Sequence, residues 1–391
     1  MKVCFITQNL YTLGGIQRVV TTILNELIKD NSYSVTVLMP FSMTGPKLFE
    51  IAEEIDIENI EKLLIDKSKT IGRLILGVNK RLGCLDYNWG NALIKRFMFK
   101  ERELERLADF FNERQFDVVI GAGPTNSCLL AELCGKVSAK LIGWQHSTFD
   151  AYFEMRGRSF YGLSKYAKDC YKKLDAVWVL TKADKRQFDE KFGTNARVLY
   201  NPVAENRLVH TPEKNNILFV GRLVIGNKGL DYLVEIMEMI LNRIPDAQLI
   251  VVGDGADREW LEDTVKQKGL KAQISIVGST DNVYQYYQKA ALMLQTSRYE
   301  GFGVTIVEAM ACGIPVVAFH NYGPDEIINN GKDGYLINQY DLEDFANKSV
   351  ELLQDQQLWN SFSERAFVRA QDFSINKILP LFKRYIEEIV N

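Results

Sequence analysis

Two carboxylates, Glu300 and Glu308, stand either side of a glycine turn in the stretch Glu-Gly-Phe-Gly-Val-Thr-Ile-Val-Glu-Ala-Met-Ala-Cys-Gly-Ile-Pro-Val-Val at 300–317. The turn opens a helix, and the free amides of a helix N-terminus, here around Phe302, Gly303, Val304 and Thr305, attract phosphate oxygens. A carboxylate about one and a half turns further on, Glu308, accepts hydrogen bonds from ribose hydroxyls. Glu300, on the loop before the turn, can do the same for a sugar. Together these parts suit a nucleotide-sugar.

A second cluster is Phe219-Val-Gly-Arg-Leu, followed six residues after the arginine by Lys228-Gly229. The pattern predicts a strand ending at Gly221, with Arg222 emerging from its carboxyl end and Lys228 at the start of the next helix. Ligands in parallel sheets bind beyond the strand carboxyl ends. Two fixed cations there neutralise a diphosphate and stabilise it as a leaving group, a role that a metal plays elsewhere. Gly14-Gly15-Ile-Gln-Arg also ends a strand and opens a helix, so backbone there can approach a substrate closely. It is not Gly-x-Gly-x-x-Gly, and no acidic residue with a clear ribose role follows, which disfavours a dinucleotide site. His146, in Gly-Trp-Gln-His-Ser, follows an apolar strand. No Asp-x-Asp motif stands at a strand end, and the six cysteines have no metal-type spacing, so neither a divalent metal nor a structural zinc is expected.

The elements that must position these residues alternate. Val3–Thr7 reads as a strand, residues 16–27 as a helix and Ser34–Met39 as a second strand. Further strands are expected at Asp117–Ile120, Lys140–Trp144 and Ala176–Leu180. Near Asn201-Pro202 the rhythm restarts: strand Asn216–Val220, helix Gly229–Leu241, strand Ala247–Val252, helix Asp257–Lys268, then strands Ile274–Val277, Leu292–Thr296 and Pro315–Phe319. This is an α/β chain of two doubly wound, Rossmann-like domains, 1–200 and 201–374, closed by an amphipathic helix within 375–391.

A chain of 391 residues is long for one core. No apolar run is long enough to span a bilayer, and Lys2-Val-Cys-Phe-Ile followed by Thr7-Gln-Asn does not form a signal peptide. The six scattered cysteines make a reducing cytosol the expected compartment. The net charge of −3 hides an asymmetry: residues 1–200 carry 29 Lys/Arg against 24 Asp/Glu (+5), and residues 201–391 carry 18 against 26 (−8). A basic first half is consistent with an anionic surface or substrate.

The Glu-x7-Glu spacing with its Ala-Met-Ala-x-Gly-x-Pro-Val-Val tail resembles the signature of the retaining glycosyltransferases of family 4, which have the GT-B fold. The resemblance implies two domains facing across a cleft, with acceptor on the first, nucleotide-sugar on the second and the last helix crossing back to the first. It implies a metal-independent enzyme without cofactor. Arg222 and Lys228 would hold the donor diphosphate, Glu308 the ribose, and Glu300 with the Phe302–Gly303 backbone the sugar. Gly15 would lie near the phosphate and sugar, His146 beside the sugar, and the Gly278–Thr280 loop at the nucleobase. This chain has Val-Ile-Gly-Asn between Leu223 and Lys228, where the family commonly has a proline and an acid. The expected reaction moves a hexose or N-acetylhexosamine, from a UDP-sugar before other donors, to a glycan or lipid-linked acceptor in surface polysaccharide or glycoconjugate synthesis. A catalytically silent partner or chaperone of an active transferase is the alternative, and retention of Arg222, Lys228, Glu300 and Glu308 argues against it. No acid/base residues can be placed for an epimerase, and no pyridoxal-phosphate lysine motif for a phosphorylase.

Residues 67–100 hold eight Lys/Arg (67, 69, 73, 80, 81, 95, 96, 100) and one acid, Asp86, interleaved with Ile71, Leu74, Ile75, Leu76, Val78, Leu93, Ile94, Phe97, Met98 and Phe99. Residues 155–173 add six cations against one acid, with Phe160, Tyr161, Tyr166 and Tyr171 among them. Such mixtures suit peripheral docking on anionic lipid at the inner face of a membrane. No recognition motif for nucleic acid accompanies the charge.

Overall fold

A computed structural model describes residues 1–11, 14–40, 50–64, 70–87, 90, 93–95, 98–158, 160–204 and 210–391. The chain divides into two compact units, Met1–Pro202 with Ile378–Asn391, and Val203–Lys377.

The first unit is a parallel sheet of seven strands: β1 (Lys2–Ile6), β2 (Ser34–Met39), β3 (Asp56–Asn59), β4 (Val118–Ala122), β5 (Lys140–Trp144), β6 (Ala176–Val179) and β7 (Arg197–Val198). Their order is β3-β2-β1-β4-β5-β6-β7. The inner strands are mostly apolar, as suits strands covered on both faces: all of β4 is buried, and β1 and β2 are buried after their polar first residues, Lys2 and Ser34. The edge strands Asp-Ile-Glu-Asn and Arg-Val lack that signal because they are not fully covered. Helix α1 (Gly15–Leu27) follows β1, and α2 (Thr70–Leu82) lies between β3 and β4. Phe160, Tyr166 and Tyr171 are buried in one core cluster with Phe149, Phe153, Phe188 and Phe192. The expectation that aromatics at 155–173 serve a surface is corrected here, because aromatic area of this size is worth more inside than in contact with water.

The second unit is a parallel sheet of six strands: β8 (Asn216–Val220), β9 (Gln248–Val252), β10 (Ile274–Gly278), β11 (Leu292–Gln295), β12 (Val316–Phe319) and β13 (Gly334–Ile337), in the order β10-β9-β8-β11-β12-β13. Its helices include α3 (Ile225–Lys228), α4 (Leu230–Leu241), α5 (Arg258–Gln267), α6 (Tyr284–Tyr287), α7 (Val304–Ala311) and α8 (Tyr322–Ile327). A core built on Phe219, Leu233, Met237, Leu294, Phe319 and Phe345 fastens helices to the sheet. The strand order reverses between β8 and β11, and crevices open beyond strand carboxyl ends at such a point.

The closing helix, α9 (Ile375–Val390), joins the first unit from Ile378 onward. Phe382, fully buried, stacks on Phe5 at 6.0 Å and meets Trp178 edge-on at 5.3 Å. Tyr33 donates to Glu387 (2.9 Å), and Lys383 pairs with Asp30 (2.6 Å).

Candidate functional site

The loops after β8 and β11 meet at the switch point of the second unit. After β8 the chain passes Gly221, Arg222 and buried Leu223, then coils once as α3, whose first amide (Ile225) donates to the Asp257 carboxylate at 2.7 Å. Lys228 is the last residue of this turn and not the first of the long helix that follows. Gly229 separates the two: its φ of +62° ends one helix, and a Cβ there would lie 2.2 Å from the Thr296 carbonyl oxygen. The loops can therefore approach this closely only at a glycine. Thr296 Oγ1 adds a hydrogen bond to the Lys228 carbonyl at 2.9 Å.

Across that junction Lys228 Nζ meets Glu300 Oε2 at 2.5 Å, with side chains only 14% and 15% exposed. The same oxygen accepts from Gln295 Nε2 (2.8 Å) and Ser297 Oγ (3.5 Å). Low exposure strengthens the attraction and makes either charge costly without the other. Arg222 differs: it is exposed and makes no side-chain ion pair or hydrogen bond among the described residues. Of the two cations expected to be fixed, only Lys228 has a side-chain partner among the described residues.

Beyond Glu300, Phe302 is buried edge-on against Phe373 at 5.6 Å, and Gly303, at φ +99°, caps α7. The Gly303 carbonyl accepts from Ile306 (2.9 Å) and Val307 (3.3 Å). Val304 and Thr305 are the first two residues of the helix, where helix geometry leaves amides without an intrahelical acceptor. Glu308 lies on the same helix, 1% exposed, and accepts from Tyr287 Oη at 3.0 Å. Thr280 follows the edge strand β10, two strands from β8, and its Oγ1 accepts from the Asn282 amide at 3.1 Å.

Arg298 was not singled out in the sequence, yet it binds the two loops together. Its guanidinium makes a bidentate pair with Asp231 (2.8 and 2.6 Å), donates to the Ile225 carbonyl (2.7 Å) and lies 3.9 Å over the Tyr232 ring. Its amide donates to the Asn227 carbonyl at 2.8 Å, and Asn227 Nδ2 reaches the Tyr299 carbonyl at 3.1 Å. The hydrogen bonds to Asp231 hold Arg298 more firmly charged. Burial opposes charge on Asp231, and the Arg298 bonds outweigh it, keeping that carboxyl below its ordinary range. The turn carrying Lys228 and the segment leading to Glu300 thus form one braced piece. The signal in the sequence was a cation two residues before Glu300 and an acid three after Lys228, a pairing that only the β8–β11 adjacency reveals.

In the first unit Gly15 opens α1, and a Cβ at this position would meet nothing within 4 Å among the described residues, so their packing does not demand glycine there. His146 follows β5, its ring 4.3 Å from that of Trp144. Both ring nitrogens are shielded from solvent and have no hydrogen-bond partner among the described residues. Burial pushes its pKa down to about 3, so the ring is neutral at pH 7. Among the described residues no group of three or more His, Cys, Asp or Glu side chains converges in a way that could hold a metal ion.

The profile of the family described as glycosyl transferases group 1 matches residues 203–369, which include the whole of this braced edge. An uncharacterized glycosyltransferase of Methanocaldococcus jannaschii is 31% identical over 267 residues, covering 67% of this chain and 72% of that one. The chain belongs to the group 1 glycosyltransferases. A Campylobacter jejuni relative, named as an α-1,4-N-acetyl-D-galactosaminyltransferase acting on a diNAcBac-PP-undecaprenol-linked glycan, is 25% identical over 398 residues, covering 100% of this chain and 99% of its own. A variant of S. aureus TarM, solved with fondaparinux, alpha-GlcNAc-glycerol and UDP, superposes with a TM-score of 0.76 at 17% identity, covering 100% of this chain and 99% of that one. The two parallel α/β units of this glycosyltransferase are thus those of the GT-B fold.

Proposed function

We propose that this glycosyltransferase is retaining and metal-independent, and moves a hexose or N-acetylhexosamine from a UDP-sugar to a lipid-linked sugar acceptor during surface polysaccharide or glycoconjugate synthesis in the cytoplasm. The observation that carries the reading is the shielded Lys228–Glu300 pair beside the Gly303 helix start at the switch point of the second sheet.

In this reading Lys228 shares itself between Glu300 and the arriving diphosphate, and the amides of Gly303, Val304 and Thr305 take phosphate oxygens as charge builds on the leaving group. Arg222, uncommitted at the surface, adds the second cation. Glu308, steadied by Tyr287, accepts from the ribose, and Glu300 with the Phe302–Gly303 backbone orients the sugar. Thr280 stands on the base side. Gly15 and His146 are assigned to the donor phosphate and sugar by family resemblance. The bond from the anomeric carbon to the phosphate oxygen breaks as the acceptor oxygen bonds to that carbon from the same face. The acceptor's proton passes to a phosphate oxygen of the departing UDP, so configuration is kept without a protein nucleophile. The UDP complex of the TarM variant and the undecaprenol-linked substrate of the Campylobacter jejuni relative favour this donor and acceptor class.

The test is nucleotide release from UDP-, GDP- and ADP-sugars with EDTA present, alongside Glu308→Ala. Slow hydrolysis of a UDP-sugar that the substitution abolishes is the expected result. Activity that requires added divalent metal would overturn metal independence. Absence of both hydrolysis and sugar-nucleotide binding would favour a silent partner subunit instead.

A further inference from the structure

Among its described residues the first unit leaves four large hydrophobic side chains exposed, and all four fall between positions 74 and 87. They are Leu74, Val78, Leu82 and Tyr87, at 67%, 54%, 65% and 60% exposure. The first three sit four residues apart on α2 and so share one face of it over about 12 Å. The helix is apolar on its inward side too, where Ile75 and Leu76 pack against the core cluster. Asn79 fixes the rotation between these sides. It is 1% exposed, donates to the carbonyls of Tyr161 (2.9 Å) and Gly162 (3.2 Å), and accepts from the Leu85 amide (2.8 Å). The outward row is thus locked outward.

Cations gather at the carboxyl end of this row. Arg81, Arg156, Arg158 and Lys165 are exposed, and none is ion-paired among the described residues. Arg156 Nε donates to the Arg81 carbonyl at 2.6 Å, and the Gly157 amide to the Lys80 carbonyl at 2.8 Å, which brings the 156–158 turn against the helix end. The nearby acids are engaged: Asp86 accepts the Lys165 amide at 2.7 Å, and Glu154 pairs with Lys191. Lys67, Lys69, Arg96 and Phe97, and the side chains of Ile71 and Arg73, lie outside the described residues.

We propose that this face of α2 docks the enzyme on an anionic lipid surface, with Leu74, Val78 and Leu82 entering the headgroup boundary and the basic rim meeting lipid phosphates. A second copy is the poorer occupant. A two-fold contact through this face would set two unpaired basic rims against each other, and three aliphatic side chains are far fewer than a stable dimer interface presents. The proposal does not depend on which sugar or acceptor the enzyme uses.

The experiment is flotation of the full chain with vesicles of phosphatidylcholine alone and of phosphatidylcholine with phosphatidylglycerol. Three proteins are compared: wild type, the triple variant Leu74→Ser/Val78→Ser/Leu82→Ser, and the double variant Arg81→Glu/Arg158→Glu. The expected result is binding only to the anionic vesicles, weakened by about 0.5 M salt and reduced roughly tenfold or more by either variant. Donor hydrolysis, unchanged in both, reports that they are folded, and if the serine variant fails there, the charge variant decides. Equal partition to both vesicle types, binding to neither, or binding that survives both variants would overturn the proposal. So would a wild-type dimer that the serine variant dissolves, since the face would then join two copies.

Discussion

The two sheets share a parallel, doubly wound plan but differ in what their carboxyl edges hold. The second unit commits its polar groups to one another: Lys228 to Glu300, Arg298 to Asp231, Tyr287 to Glu308. The first unit pairs some groups there, Gln145 with Ser127 and Tyr171 and Thr181 with Asp184, but the His146 nitrogens, Trp144 Nε1 and Thr7 Oγ1 are buried and, among the described residues, unpartnered. A braced edge holds fixed charges ready for a ligand of fixed charge, such as a diphosphate. An edge of aromatic walls and unmet hydrogen-bonding groups fixes little by charge and leaves donors and acceptors for a ligand or water to satisfy.

The largest effect should come from removing the fixed cation. Lys228→Met is expected to lower donor kcat/KM by about 10²–10³-fold with the fold kept, as for loss of one preorganised charge-stabilising group. Near-normal turnover would detach Lys228 from the diphosphate. Glu308→Gln should cost about 10–100-fold, seen mainly in donor KM, because a charged acceptor is replaced by a neutral one. An effect confined to kcat would place Glu308 elsewhere in the reaction.

Arg298→Ala tests whether bracing matters. The expected loss in donor kcat/KM is about tenfold, with stability lowered by about 1–3 kcal/mol. Arg298→Lys should restore stability more than activity, since an ammonium cannot span Asp231 and the Ile225 carbonyl together. Equal recovery of both would make Arg298 purely structural. At neutral pH the smallest change is expected from His146→Asn, whose signature is pH-dependent. His146 is neutral in the folded protein down to about 3, against an ordinary 6.5. The unfolded chain binds the extra proton between those values, so stability falls as pH drops from about 6.5, by up to about 1.4 kcal/mol per pH unit. The melting temperature of wild type should therefore drop more than that of the variant between pH 7 and pH 5. Parallel curves would show that His146 is not held neutral.

The same contrast explains what could be read from the sequence. Glu300, Gly303 and Glu308 lie within one strand–turn–helix passage, so local spacing sufficed. The Lys228–Glu300 contact spans 72 positions and exists because β8 and β11 are neighbours out of chain order, which no local pattern encodes. Lys228 was displaced from its expected place by the left-handed φ of Gly229, and Arg298 was invisible until Asp231 was brought beside it. Edge strands Asp56–Asn59 and Arg197–Val198 lacked an apolar run because they are only partly covered. Composition misled at 155–173, where mixed cations and aromatics read as one surface although Phe160, Tyr166 and Tyr171 turn inward and Arg156 and Arg158 outward.

The most direct test of the braced edge as a diphosphate site is calorimetric titration of UDP and UMP into wild type, Lys228→Met and Glu308→Gln. Wild type should bind UDP more tightly than UMP, Lys228→Met should abolish most of that difference, and Glu308→Gln should weaken both nucleotides alike. A UDP preference that survives in Lys228→Met would contradict the assignment of Lys228 to the diphosphate and the reading built on it.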